Sequence, residues 1–449
     1  MDRVKQLSKK ATIVSLNAFV EGAFFPVTLG AVVFLFYALN LPIVTLAILA
    51  LCACYISLFA KNTRTLFSIL LFAMIALRYK DNAGAYTTVG AIVAYCILGP
   101  ILLSCLIYRL VAYRVKAKRQ GLCSMGLLCL AFLLSGIFTK YCTLANAMKV
   151  IGCTGALFVT YFFFLFTMEK QEDDILYLAR ICAVAVCMIS LEVGECYLRH
   201  YQIGTPLDWI WKEKIILGWS ISNMVGEMIV FMLPAVFYLI YKEEKGYWYW
   251  IVIVVATIGI YFTLSRNALL WCAVVLLSCS LINCFKGKHV KINRIVVISA
   301  ISLFAVVMII LLLAGYLDGL LTFFLETGFN DRGRSRVWRE HFQLFKEHPL
   351  QGVGFKAYHE VMQVREHTAH NNLLQMLTST GIIGLTLYLI HRAQTVYMIL
   401  KKRTAERMFM GGCIGIALLI SFLSPLFFGC YFMVYYSVVL LVLEKSLEE

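Results

Sequence analysis

The sequence predicts an all-α integral membrane protein that crosses the bilayer about 12 to 14 times. Of its 449 residues, 61% are hydrophobic and only 14% are charged, whereas soluble domains carry about 25% charged residues. Continuous apolar stretches recur from end to end, and most approach the ~20 residues that a helix needs to cross a hydrocarbon core. Only helices or closed barrels satisfy the backbone in lipid, and these stretches show no alternation, so helices are predicted.

About 14 stretches of the chain meet this description. The first seven lie at 23–39, 42–60, 65–78, 86–112, 121–139, 148–168 and 175–197. The eighth and ninth lie at 221–240 and 247–264, and the tenth begins directly after the tight turn Ser265–Asn267. The eleventh and twelfth lie at 295–316 and 373–390, and two more fill 408–443.

The basic residues predict the orientation of these spans, because loops rich in lysine and arginine remain in the cytoplasm. With the N-terminus inside and the spans alternating, the basic loops all fall on the cytoplasmic side: 61–64, 114–119, 241–246, 286–294 and 391–407. The segments at 198–220, 265–267 and 317–372 then fall outside. The net charge of +15 therefore reflects membrane orientation, and nucleic-acid binding is excluded.

The cysteines and carboxylates predict no metal site. Most of the 16 cysteines lie inside apolar stretches, and none forms a CxxC pair with metal-ligand spacing. Such cysteines are usually small apolar packing residues. The predicted outer face also shows no clustered-carboxylate motif that would hold Mg²⁺.

The segment 317–372 is the exception to this apolar pattern. Five of the eight histidines fall between His341 and His370, and arginines cluster at Arg332–Arg339. A solvated loop between two spans is the simplest interpretation, and a reaction site at the membrane surface is the other. The mixture of arginine and histidine favours a site.

Within this segment, residues 335–348 predict an amphipathic helix that Pro349 ends. Its apolar face would carry Trp338, Phe342 and Phe345, at the spacing of a helix. Its polar face would carry Arg336, Arg339 and Gln343. The next helix would be capped by Thr368, which places His370 and Asn371 in its first turn.

The predicted topology brings Arg266, the Arg332–Arg339 cluster and His370 to one face of the membrane. Arginine suits a diphosphate because it is always charged and presents a planar fork of donors. Histidine can accept a proton near neutral pH, and the positive end of a helix dipole would keep its ring neutral. Glu227 lies inside a span, where a carboxylate is costly. It is either part of a buried structural ion pair or part of the site.

Three stretches resemble the O-antigen ligase/polymerase family of bacterial cell-surface polysaccharide assembly. They are SRNALL at 265–270, the R-x-W of Arg336 followed by HPLQGVGF to Phe355, and HNNLLQMLTSTGIIG at 370–384. The resemblance covers about 221–391. On this basis we divide the chain into three parts. The divisions are N-terminal transmembrane helices at 1–197, a catalytic core at 198–391 with its extracytoplasmic loop at 317–372, and C-terminal transmembrane helices at 392–449.

The resemblance implies a metal-independent glycosyltransferase that needs no cofactor. Its donor would be a glycan linked to a polyprenyl diphosphate such as undecaprenyl diphosphate, and its acceptor a sugar hydroxyl on a lipid or glycan. Matched by position, His370 would be the base, and Arg266 and Arg336 would bind the diphosphate, with Arg334 a close competitor to Arg336. Supporting residues would be Asn371, Arg339, Glu227 and Asn223.

The resemblance also implies a multi-pass protein of the bacterial cytoplasmic membrane, in contact with its lipids, whose active site faces outward. A ligase transfers a finished glycan to a lipid A core, whereas a polymerase transfers it to another lipid-linked repeat, and both remain open. A transporter or flippase of lipid-linked glycans, which forms no bond, is the alternative from another class.

Overall fold

The computed structural model describes residues 15–77, 89–116, 120–137, 139, 143–204, 215–315, 334–355 and 368–447. In these residues the regular structure is helical, apart from one isolated backbone bridge between Ile216 and Ile221. The predicted all-α class is therefore confirmed. The basic start of the chain, and the parts of the long polar segment at 316–333 and 356–367, lie outside the described residues.

Up to residue 204, the described residues form eight main helices. They are α1 Phe24–Ala38, α2 Pro42–Phe59, α3 Leu66–Ile75, α4 Val89–Ala112, α5 Leu122–Ile137, α6 Leu144–Thr154, α7 Thr160–Thr167 and α8 Asp174–Gln202. A π-helical turn at Gly155–Val159 joins α6 to α7, so these two helices together occupy one predicted span.

From residue 215 onward, the described residues form eight more helices. They are α9 Ser222–Lys242, α10 Tyr249–Phe262, α11 Arg266–Phe285, α12 Val290–Leu313, α13 Arg334–Glu347, α14 Asn372–Lys401, α15 Ala405–Ile420 and α16 Cys430–Lys445. Every predicted span coincides with one helix or with the α6–α7 pair. The predicted surface helix at 335–348 coincides with α13.

Seven of the described helical stretches are long and apolar enough to cross a membrane. They are Pro42–Phe59, Asn146–Thr167, Asp174–Gln202, Ser222–Lys242, Arg266–Phe285, Val290–Leu313 and Asn372–Lys401. Shorter apolar helices such as α1 and α10 occupy other predicted spans. The chain is thus a polytopic membrane protein, and the count of about 14 spans stays a prediction.

Helix α9 lies at the centre of the bundle. In its most apolar window 89% of the residues are buried, and α8, α10, α11 and α15 all pack against it. Helix α12 is the opposite case, because none of the residues in its most apolar window is buried although their mean hydropathy is 3.2. Such a surface is stable only against lipid, whereas α9 is buried by protein.

Two contacts show loops that share an end of the bundle. Arg64 forms ion pairs with Asp173 and Asp174, which joins the second loop to the loop before α8. Lys286 and Arg403 line one cavity of about 770 Å³, which joins the loops after α11 and α14. Which end faces the cytoplasm stays a prediction.

Candidate active site

The short segment 421–424, directly after α15, holds the starts of other helices together. The backbone N–H of Asn372, the first residue of α14, donates to the carbonyl of Ser421 at 2.8 Å. The side-chain amide of Asn371 donates to the carbonyl of Phe422 at 3.3 Å. Two residues further on, the Ser424 hydroxyl donates to Glu227 of α9 at 2.6 Å. One segment therefore contacts the beginnings of both α14 and α9.

Glu227 links the segment 421–424 to the start of α11. Its side chain is 1% exposed, and its second oxygen accepts a hydrogen bond of 2.8 Å from the side-chain amide of Asn267. The preceding residue, Arg266, is the first residue of α11 and is half-buried. Glu227 thus accepts hydrogen bonds from Asn267 and Ser424, and the two interpretations offered for it, a structural ion pair and a site role, both stay predictions.

A glycine allows α9 and α11 to approach closely at this point. A Cβ atom on Gly226 would lie 2.7 Å from Cβ of Ala268 and 2.8 Å from Oγ1 of Thr263. Separations this short are not tolerated between a Cβ atom and a nonbonded carbon or oxygen atom, so only glycine fits beside the start of α11. The close crossing brings Glu227 within reach of Asn267. Asn223 lies one turn earlier, half-buried in the first turn of α9.

His370 lies outside α14, directly before its cap. Asn371 is the N-cap, with an extended backbone and a side-chain oxygen that accepts from the N–H of Leu374 at 3.0 Å. The predictions that Thr368 caps this helix and that His370 and Asn371 lie in its first turn were therefore wrong. Asparagine is among the strongest N-cap residues, and the hydroxyl of Thr368 instead contacts His370 Nε2 at 3.2 Å.

The backbone of His370 is left-handed, with φ of 46°. A non-glycine residue in this region is uncommon and costs free energy. Residues held in such conformations cluster at functional sites. The conformation places a half-buried imidazole at the N-terminal end of α14. The helix dipole makes this end partly positive, which disfavours a positive charge on the imidazole.

Helix α13 packs on the bundle through a different face from the one predicted. Its buried residues are Val337, His341 and Leu344, whereas Trp338 and Phe342 are 38% and 47% exposed. The predicted apolar face at Trp338, Phe342 and Phe345 is therefore not the face through which the helix packs on the bundle. A polar contact decides the choice, because His341 Nδ1 lies 2.9 Å from the hydroxyl of Thr378 in α14.

Of the three arginines predicted in α13, the structure separates Arg334 from the other two. Arg336 has a 70% exposed side chain and donates to Glu340 on its own helix at 2.8 Å. Arg339 is exposed and donates to the carbonyl of Ser335 at 3.3 Å. Arg334 is half-buried and stands three residues before Val337, on the packed face of the helix.

Trp338 connects this helix to the candidate base. Its indole Nε1 donates to the carbonyl of Ala369 at 2.6 Å, the residue directly before His370. Arg334 precedes Trp338 by four residues, so the two side chains are neighbours on the helix surface. The start of α13 is thereby fixed beside the start of α14.

The chain after α13 lies along α14 at a break in that helix. Gly381 has φ of 64° and interrupts the helical backbone, and a Cβ there would lie 2.2 Å from the carbonyl oxygen of Leu350. The freed N–H groups of Ile382 and Ile383 donate to Pro349 and Leu350 at 2.9 and 3.3 Å. This close contact therefore requires a glycine at position 381.

Two contacts of the site were not predicted from the sequence. Ser424 contacts Glu227 from 197 positions away, and nothing around Ser424 distinguishes it from other serines in apolar surroundings. The indole of Trp338 was placed on an apolar face, although a tryptophan in a polar helix often uses its N–H as a donor.

Residues 251–389 match the O-antigen ligase family. The match contains Arg266, Arg334, Arg336 and His370, whereas Glu227 and Asn223 precede it and Glu227 contacts it through Asn267. The chain is accordingly a multi-pass membrane protein, and its residues 251–389 are similar to a family of glycan-transferring enzymes. No curated protein matches the chain.

The charges and the helix N-termini at this site determine which kind of ligand it favours. The starts of α9, α11 and α14 carry partial positive charge that favours an anion, and Arg266 adds a full positive charge that lies near the opposite charge of Glu227. Within the described ranges, no group of three or more histidine, cysteine, aspartate or glutamate side chains is arranged to hold a metal ion. Metal-independence stays a prediction that chelation can test.

Proposed function

We propose that this protein is a glycosyltransferase that moves a glycan from a polyprenyl-diphosphate carrier to a sugar hydroxyl. The reaction takes place at the outer surface of the cytoplasmic membrane. The observation that carries the proposal is the meeting of the starts of α9, α11 and α14 around Glu227 and Ser424. This meeting supports a single site that contains both an arginine and a histidine from the part of the chain that matches the O-antigen ligase family.

The donor diphosphate binds at the start of α11, with Arg266 as one ligand. A guanidinium can hold two phosphate oxygens at once, and the half-buried position of Arg266 strengthens that contact relative to bulk water. A second arginine comes from α13. The geometry supports Arg334 over Arg336, because Arg336 is 70% exposed and already paired with Glu340.

His370 takes the proton from the acceptor hydroxyl. The hydroxyl oxygen then attacks the anomeric carbon of the donor glycan, and the bond between that carbon and the diphosphate oxygen breaks. The polyprenyl diphosphate leaves with its charge held by the arginines, which stabilise the developing negative charge as oxyanion-binding groups do. The hydrogen bond from Trp338 to the carbonyl of Ala369 holds the backbone that presents the imidazole.

A reconstitution tests the proposal directly. Purified full-length protein in micelles is incubated with a lipid-linked repeat unit, with and without a lipid A core, and in each case with and without EDTA. A ladder of longer lipid-linked glycans indicates a polymerase, whereas glycan joined to the lipid A core indicates a ligase. Activity that persists in EDTA supports metal-independence.

Two further measurements complete this experiment. The variant His370→Ala, at the same protein concentration, is the matched negative control for bond formation. Proteoliposomes that translocate the lipid-linked substrate without forming any glycosidic bond would refute the proposal in favour of the transporter alternative.

A further inference from the structure

Two cysteines far apart in the chain meet at the end of the segment that organises the site. Sγ of Cys153, in α6, lies 3.0 Å from Sγ of Cys430, the first residue of α16. A disulfide bond is about 2.05 Å long, so closing it needs a movement of only about 1 Å. We propose that Cys153 and Cys430 form a reversible disulfide that fastens the segment 421–429.

The two thiols differ in access, which assigns their order of reaction. Cys430 is exposed, whereas Cys153 is 1% exposed. A soluble oxidant can therefore reach Cys430 and not Cys153. Cys430 is the attacking thiol and Cys153 the resolving thiol.

The oxidant is a disulfide, either glutathione disulfide or the active-site disulfide of a thiol oxidoreductase. The Cys430 thiolate attacks one of its sulfurs, which forms a mixed disulfide and releases one thiolate. Cys153 loses its proton and attacks the Cys430 sulfur, which forms the Cys153–Cys430 bond and releases the second thiolate. The protein loses two electrons and two protons, and the oxidant becomes two thiols.

The bond would fasten a segment that contacts the candidate site and the chain after α13. Gly429 and Cys430 follow the buried 3-10 turn Leu426–Phe428, and the same segment contacts Asn371, Asn372 and Glu227 at its other end. The ring of Phe428 stacks on Phe355 with centroids 4.8 Å apart. A covalent link at Cys430 thus holds the linker between α15 and α16 from its far end.

The predicted orientation is compatible with this chemistry. With the N-terminus inside and the spans alternating, the chain before the span at 148–168 and the chain before the last span both fall outside, and disulfides persist in oxidising compartments outside the cytoplasm. The proposal does not depend on glycan transfer, since it concerns thiols that contact no substrate.

Peptide mapping tests the bond. Full-length protein is treated with glutathione disulfide, its remaining thiols are blocked with N-ethylmaleimide, and its peptides are identified by mass spectrometry. Wild type is expected to yield a Cys153–Cys430 peptide pair that dithiothreitol separates. Cys123→Ser, which removes another exposed cysteine, is the matched control and should yield the same pair.

The single variants separate the two roles. Cys153→Ser should accumulate glutathione on Cys430, because the resolving thiol is missing, whereas Cys430→Ser should carry no glutathione on Cys153. Cys153→Ala repeats the test if the serine variant fails to elute as a single species. Equal glutathione on Cys430 in wild type and Cys153→Ser would overturn the proposal, as would wild type with both thiols alkylated.

Hydrogen exchange tests the fastening. Amides in 421–429 should exchange at least several-fold more slowly in the oxidised protein than in the reduced one, and Cys123→Ser should behave like wild type. Equal exchange rates in the two states would show that the bond fastens nothing.

Discussion

The indole of Trp338 donates a hydrogen bond of 2.6 Å to the carbonyl of Ala369, directly before the left-handed residue His370. The bond joins an amphipathic surface helix to the backbone that presents the candidate base. We therefore propose that Trp338 is a positioning residue, since its side chain contacts the backbone beside the candidate base through Ala369.

Trp338→Phe should lower glycan transfer by roughly 2- to 13-fold, because it removes one hydrogen bond with a net contribution of about 0.5–1.5 kcal/mol. Phe342→Leu is the matched control, since Phe342 is 47% exposed on the same helix. Its rate should stay within twofold of wild type. In combination with His370→Ala, Trp338→Phe should have no further effect on the rate. An additive loss in the double variant would mean that Trp338 acts elsewhere.

The arginines of the site should differ in their effects on donor binding. Arg266→Ala should slow transfer by about 30- to 1000-fold, which corresponds to about 2–4 kcal/mol for a lost charged contact. Arg334→Ala should cost a similar factor. Arg336→Ala should cost less than about threefold, because an exposed ion pair such as Arg336–Glu340 contributes little. Steady-state rates at varied donor concentration measure all three.

Lysine replacements control for charge. Arg266→Lys should recover little activity, because lysine keeps the charge and lacks the planar fork. Glu340→Gln tests whether the pair with Arg336 matters and should leave the rate unchanged. If Arg336→Ala proves as damaging as Arg266→Ala while Arg334→Ala is silent, Arg336 is the second diphosphate ligand after all.

Glu227→Ala should destabilise the protein and disturb the site together. It leaves the buried donors of Asn267 and Ser424 without their carboxylate acceptor, at about 1–3 kcal/mol for each group. The melting temperature should therefore fall, and the KM for donor should rise as the start of α11 loses its anchor. Glu172→Ala, at an exposed carboxylate, should change neither value. An unchanged melting temperature for Glu227→Ala would contradict the anchoring role.

The fold was largely predictable because lipid imposes one requirement everywhere. Long apolar runs must form helices when no water is available to the backbone, and hence the span at 42–60 and α2 agree to one residue. The packing face of α13 was not predictable in this way. Its sequence carries apolar residues in two registers, and the contact between His341 and Thr378 decides between them.

The sequence predicted which residues form the candidate site, but it predicted their arrangement only in part. Arg266 and His370 stand in recognisable motifs, so they were identified without a structure. The left-handed backbone of His370 and the contact of Glu227 with Ser424 depend on long-range packing. Such contacts have no local sequence signal, since the partners lie on helices that are distant in the chain.

Labelling of single cysteines tests the orientation of the membrane protein. Gln343 and Lys245 are exposed residues at opposite predicted faces. In a background without reactive native cysteines, Gln343→Cys should react with an impermeant maleimide in intact cells, whereas Lys245→Cys should react only after lysis. The reverse pattern would place α13 in the cytoplasm and remove the basis for an outward-facing reaction.

His370→Ala should abolish glycan assembly in cells, because loss of a general base typically costs about 10²–10⁴ in rate. The imidazole is half-buried beside Thr368 and directly before the capped start of α14, so its removal leaves the Asn371 cap intact. The variant protein should therefore insert into the membrane at wild-type levels and bind donor normally.

His348→Gln is the matched control, since His348 lies at the far end of α13 from the site and is also half-buried. Its rate should remain near that of wild type. Normal glycan assembly by His370→Ala, or a loss explained by absence of the protein from the membrane, would show that His370 is not the base.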